Sequence, residues 1–205
     1  MRLTFFISMA VILSKLKSAL ETEKELANKD SLTGLSNRRS FFETADAELK
    51  RARRYGRPLT IAYLDLDKFK EVNDQQGHQE GDRLLRAMAD SLRNCTRSTD
   101  AVARIGGDEF VVLLPETGEE AAFSAVQKIH QEVLQTMREH QWQVTLSIGA
   151  LTLVEPPDDV DEMVRDADHL MYSAKESGKN SIKFKIIDKK TKEDPQSESS
   201  YFPSV

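Results

Sequence analysis

A single cysteine, Cys95, among 205 residues excludes an internal disulfide and leaves no second thiol for a metal cluster. A reducing compartment, the cytoplasm, is the simplest setting for such a chain. Positive charge is not in excess either. The net charge of −5 argues against a general nucleic-acid binder, which must neutralise many phosphates. A small phosphorylated ligand needs only a few well-placed cations and stays open. Lys50, Arg51, Arg53, Arg54 and Arg57 do form a basic run, but a solvated helix face accounts for most of it. Histidine is scarce. His78 reads as a packing or capping residue, and nothing marks His130, His140 or His169 as catalytic. The one tryptophan, Trp142, reads as core.

A long hydrophobic run is also missing. The opening MRLTFFISMAVIL is uncharged apart from Arg2, yet its apolar stretch falls well short of the ~20 residues of a spanning helix. Arg2 would suit the start of a signal peptide, but no small-x-small cleavage site follows the apolar core. Three readings stay open: the end of a membrane helix in a shortened chain, an interfacial anchor, or a helix packed on a partner. The first two would attach the protein to the inner face of the cell membrane. The following KLKSALETEKELANK is built of strong helix formers. Leu13, Leu16 and Leu20 fall at coiled-coil spacing before Glu23 breaks the series. A signalling helix that pairs two protomers fits this segment. Residues 1–29 therefore form one division, residues 30–187 a folded domain, and residues 188–205 a polar, disordered tail.

Within the domain the hydrophobic period alternates between that of strands and that of helices. Asn37 is a good N-cap for a helix that Gly56-Arg57-Pro58 ends near Tyr55. Leu59 to Asp65 reads as a buried strand. A short helix from Lys68 closes at Gly77, and a longer one follows Gly81, with Leu84, Leu85, Met88, Ala89 and Leu92 on one face. Ala101–Ile105 and Glu109–Leu114 are strands joined by Gly106-Gly107-Asp108, a hairpin signal. Phe123, Val126, His130, Val133 and Met137 mark a helix, Val144–Leu151 a strand. Val160 to Ala174 mark a last helix, and Ser181–Ile186 a closing strand. That order predicts an α+β fold, one central mixed sheet of five strands flanked by helices.

Two acidic sites end or turn a strand: Asp65, within Asp65-Leu66-Asp67, and the pair Asp108 and Glu109 at the hairpin tip. Should the hairpin pair beside the first strand, the carboxylates converge at one rim of the sheet. Clustered carboxylates repel unless a cation sits among them, and hard oxygen ligands suit magnesium, with manganese as the alternative. Strand ends and hairpin tips also carry surface acids for no chemical reason, and for either site alone that is the better reading.

Gly106-Gly107-Asp108-Glu109-Phe110 resembles the signature of the GGDEF-domain diguanylate cyclases. Asp30-Ser-Leu-Thr-Gly-Leu-Ser-Asn37-Arg38-Arg39 is similar to the motif that opens that domain. Asp65-Leu66-Asp67-Lys68-Phe69-Lys70, Asn73-Asp74 and Gly77-His78-Gln79-Glu80-Gly81-Asp82 resemble its nucleotide motif. The likeness runs from about Asp30 to Lys185. It implies a fold similar to the nucleotidyl cyclases and polymerase palms. It also implies a metal site of Asp65, the Leu66 carbonyl, Asp108 and Glu109, with Asp65, Asp108 and Glu109 as the catalytic set. Asp67 looks structural in the family, or could cap the helix beginning at Lys68.

The resemblance also implies that Asn73 and Asp82 read guanine. A carboxylate accepts from the ring N–H and exocyclic amine, and an amide donates to the carbonyl. Adenine would leave those groups unpaired, so GTP should be preferred. Capping of helix ends is the bland alternative for both residues. Gly106 and Gly107 would let the hairpin reach positive φ and a phosphate approach the backbone. Lys70, Lys175 and Lys179 match phosphate-holding positions, although Lys179 stands where arginine is usual and replaces a fork by a point charge. Arg97 and Asp100 have the spacing of the family's product-binding inhibitory site, which an arginine of the 51–54 run could complete. A local surface pair is the alternative. Ser36, Lys68 and Ile105 depart from residues frequent in the family.

These readings imply a diguanylate cyclase that condenses two GTP into cyclic di-GMP and two pyrophosphates across a homodimer. It would depend on magnesium and be inhibited by its product. The alternatives are an inactive domain that binds GTP or cyclic di-GMP, and a membrane-tethered scaffold.

Overall fold

The computed structural model describes residues 27–188 apart from position 158, with isolated positions 9, 12–15 and 17. The readings of the N-terminal apolar segment, its signalling helix and the C-terminal tail lie almost wholly outside the described residues. Among the described residues no helix is long and apolar enough to cross a membrane.

Asn37 caps helix α1 (Arg38–Tyr55), its Oδ1 accepting from Ser40 N at 3.0 Å. Gly56 ends the helix in the left-handed conformation, at φ 61°. Strand β1 (Leu59–Asp67) follows, then helices α2 (Phe69–Gln76) and α3 (His78–Cys95) and strands β2 (Ala101–Gly106) and β3 (Glu109–Pro115). Helix α4 (Glu119–Glu139), strand β4 (Thr145–Leu153), helix α5 (Val160–Glu176) and strand β5 (Ile182–Ile187) complete the domain. The five strands lie in the order β2-β3-β1-β4-β5. Only β4 and β5 pair in parallel, so the sheet is mixed as expected.

Strand β1 is buried along its whole length because helices cover both faces of the sheet. Ala62, Leu64 and Leu66 share one core with α3 and α4, whereas Leu59, Ile61 and Tyr63 share another with α1 and α5. The period of two places Asp65 and Asp67 on the α1/α5 side. Gly149 allows α5 to approach that closely. A Cβ there would lie 2.1 Å from Met171 N and 2.2 Å from Ala167 O, both backbone atoms that cannot swing aside. Some boundaries differ from the expectation: β1 runs on to Asp67, so Asp65 lies inside the strand and not at its end, and β4 spans Thr145–Leu153. Helix α3 starts at His78, not after Gly81, so Gly81 lies inside its first turns.

Candidate active site

The hairpin does pair beside the first strand. Strand β3 runs antiparallel to β1 with Asp65 opposite Glu109, and Leu66 N–H points to Asp108 O at 3.4 Å. Asp65 is only 5% exposed. Its Oδ1 lies 2.6 Å from Lys175 Nζ, an ion pair, but without the alignment of a hydrogen bond. Burial pushes the Asp65 carboxyl up from 3.8 to about 6; Asp108 and Glu109 add to the rise and Lys175 opposes it. Burial likewise raises Glu109, followed by the charges of Asp168 and Asp108, while the Tyr63 hydroxyl and Lys175 act in the opposite sense. Burial and the Glu109 charge also make the Tyr63 hydroxyl harder to ionise.

The acids are therefore neighbours close enough to repel, as expected. They do not form a ready cage: among the described residues no group of three or more His, Cys, Asp or Glu is set to hold a metal ion. Lys175, matched by resemblance to a phosphate-holding position, lies against the inner oxygen of Asp65. The donor set nevertheless fits a hard divalent cation. Asp65 Oδ1 is buried with only the Lys175 ammonium against it, two more carboxylates press on it electrostatically, and the Leu66 carbonyl lies in the same strand.

An arginine outside the family motifs braces the hairpin. Arg104 donates to Gly107 O from Nε at 2.9 Å and Nη2 at 2.7 Å, and to Asp30 Oδ1 from Nη1 at 3.1 Å. Burial works against ionisation of Asp30, but the Thr33 hydroxyl and N–H, with Arg104, outweigh it and lower its pKa. The residues opening the domain are thus tied to the tip that carries Asp108. A charged residue in the middle of a strand was the available signal. Of the two tip glycines only Gly107 has positive φ, at 49°; Gly106 ends β2.

Asn73 lies on α2 and Asp82 on α3. They are brought to adjoining positions by Gly81, where a Cβ would fall 1.9 Å from Asn73 Oδ1. No larger residue fits that crossing without moving Asn73. Both lie within their helices, and the caps at Lys68 and Gly77 have no side-chain hydrogen bond, so the capping alternative falls away. Asp82 is half exposed and 4.0 Å from Arg86.

Asp67 is 2% exposed and does not cap α2. It accepts from Thr145 Oγ1 and Ser147 Oγ, both at 2.8 Å, and from Asn180 N at 3.0 Å. Through that last bond it holds the turn Gly178-Lys179-Asn180, in which all three residues have positive φ. Lys179 and Lys70 are exposed. Arg97 and Asp100 lie away from these acids, in the turn between α3 and β2. There the Asp100 carboxylate accepts from Arg97 N at 2.7 Å, so the surface pair is made through the backbone. His78 is exposed and Trp142 buried.

Residues 27–181 match the family model described as diguanylate cyclase, GGDEF domain. The chain is 32% identical over 179 residues to the probable diguanylate cyclase DgcT of Escherichia coli, covering 85% of this chain and 39% of that protein. It is 33% identical over 175 residues to the cyclic di-GMP phosphodiesterase NbdA of Pseudomonas aeruginosa, covering 84% of this chain and 22% of that protein. The chain thus spans well under half the length of these curated relatives. Among solved structures it is similar to the coiled coil and GGDEF domain of DgcB from Caulobacter crescentus, in complex with c-di-GMP. That match has a TM-score of 0.79 and 27% identity, covering 88% of this chain and 97% of that one.

Proposed function

Since the chain belongs to the GGDEF diguanylate cyclase family, we propose that it condenses two GTP into cyclic di-GMP and two pyrophosphates. The observation that carries this reading is Asp65. A carboxylate 5% exposed, raised to about 6 and beside two further acids, is costly to keep unless charge-bearing chemistry uses it.

Asp65, Asp108, Glu109 and the Leu66 carbonyl would hold a divalent cation, magnesium by preference for hard oxygen donors. When bound, such an ion supplies Lewis-acid neutralisation of charge on the phosphates and the attacking oxygen. Asn73 and Asp82 orient the base, and the crossing at Gly81 fixes their separation. Lys70, Lys175 and Lys179 place positive charge along the triphosphate. Each domain binds one GTP, so the 3′-hydroxyl in one protomer attacks the α-phosphate held by its partner. Each new O3′–P bond forms as the bond to pyrophosphate breaks. A single protomer offers half of that site, which makes a homodimer part of the proposal. Arg97 and Asp100 offer an exposed place for the product to bind and inhibit. The N-terminal segment would bring protomers together, at the cytoplasmic side of a membrane if it anchors there.

The test is incubation of the protein with GTP and magnesium, with nucleotides separated by chromatography and identified by mass spectrometry. Cyclic di-GMP with matching pyrophosphate, lost in Glu109→Ala, is the expected result. Absence of product at protein concentrations that favour dimers would support a domain that binds nucleotide without turning it over.

A further inference from the structure

Helix α4 ends in a Schellman motif that fixes the position of the only tryptophan. Gln141 N–H donates to Arg138 O and Trp142 N–H to Met137 O, each at 3.0 Å, with Gln141 at φ 61°. The Trp142 ring stacks on His140, centroids 4.5 Å apart and planes 10° from parallel. His140 is itself held, since Nδ1–H donates to Thr136 O at 3.0 Å. From this fixed indole the Nε1–H donates to Glu80 Oε1 at 2.9 Å. The second oxygen of Glu80 accepts from Arg83 Nη1 at 2.9 Å.

Glu80 directly precedes Gly81 and Asp82. A loop distant in sequence therefore grips the turn of α3 that seats Asn73 and presents Asp82. The Arg83 contact alone would be a weak surface pair. The indole bond differs, because it is charge-assisted and its donor is 5% exposed. The indole has no other polar atom and no capacity to accept, so its Nε1–H has one directional use.

We propose that Glu80 and Trp142 are positioning residues for purine recognition, holding the first turns of α3 so that Asp82 and Asn73 meet the guanine edge together. This rests on the GTP reading above. Without the latch, α3 keeps its helix but its N-terminal turn shifts against α2. The cost then falls on the contact to the exocyclic amine that Asp82 accepts from.

ITP lacks that amine and keeps the rest of the base edge, so the comparison of GTP with ITP reads the contact directly. Calorimetric titration of the full chain with each nucleotide is the measurement, with KM and kcat for each alongside. In Glu80→Ala we expect GTP affinity to fall roughly fivefold and the preference for GTP over ITP to shrink by a similar factor. Glu80→Gln, whose amide oxygen still accepts the indole N–H, should retain the preference. Trp142→Phe, which keeps the ring but removes the donor, should behave as Glu80→Ala. A lowered melting temperature with an unchanged GTP-to-ITP ratio in Glu80→Ala and Trp142→Phe would overturn the proposal and leave the GTP reading standing. Wild-type protein that binds neither nucleotide would overturn both.

Discussion

Asp65 and Asp67 stand two residues apart on one strand, face the same side of the sheet and are almost equally buried, at 5% and 2% exposure. Their surroundings differ. Asp67 accepts from two hydroxyls and a backbone N–H. Asp65 has one lysine and two acidic neighbours, and its inner oxygen lacks a hydrogen bond. A buried carboxylate whose oxygens are all engaged ties elements together. One left short of donors beside like charges stores electrostatic free energy that a ligand can release. The two residues thus separate structure from chemistry within one turn of pleat.

The sharpest break of that contrast is chemical. Asp65→Asn and Glu109→Ala should each lower cyclic di-GMP formation by about 10³-fold or more, on the order of 4 kcal/mol in the barrier. Circular dichroism melting should show both variants folded. Asp67→Ala should do the reverse in kind, costing roughly 3 kcal/mol of folding stability by denaturant titration, because Asn180 N–H and two hydroxyls lose their acceptor.

The pH dependence of stability sharpens the same comparison. Asp65 binds its proton more tightly folded than unfolded, with a pKa raised from 3.8 to about 6. Its contribution is therefore a penalty that is absent below about 3.8, grows as pH rises to about 6 and is full above that. At ~1.4 kcal/mol per pH unit the rise amounts to roughly 3 kcal/mol. Asp65→Asn should remove it, so wild type and variant diverge in denaturant midpoint between about pH 4 and 6, the variant being more stable at neutral pH. Equal midpoints across that range would contradict the assignment.

The smallest expected effect concerns the turn that Asp67 holds. Lys179→Arg exchanges a point charge for a fork and should lower the KM for GTP by about two- to threefold, with folding stability unchanged.

Much of the fold was legible from local chemistry. The Asn37 cap, the Gly56 stop, the hairpin at Gly106-Gly107 and the five strands follow from short-range rules. The start of α3 was not legible. Gly81 resembles a boundary in sequence, yet its lack of a side chain serves the close crossing with Asn73. The pairing of β3 with β1, and so the meeting of Asp65 with Glu109, could be stated only as a condition, because register between distant strands is a tertiary property. Arg104, the hydrogen bonds of Asp67 and the Trp142–Glu80 latch were hidden for the same reason. Each links residues that neither period nor spacing connects. The contact of Lys175 with Asp65 was hidden likewise, since family likeness matches that lysine only to a phosphate-holding position.

The most direct test of the whole account is the rate of cyclic di-GMP formation by Asp65→Asn, normalised to folded protein and measured beside wild type with GTP and magnesium. A stable, folded variant that forms product about 10³-fold or more slowly than wild type is the expected result. Product formed at the wild-type rate by that variant would contradict it.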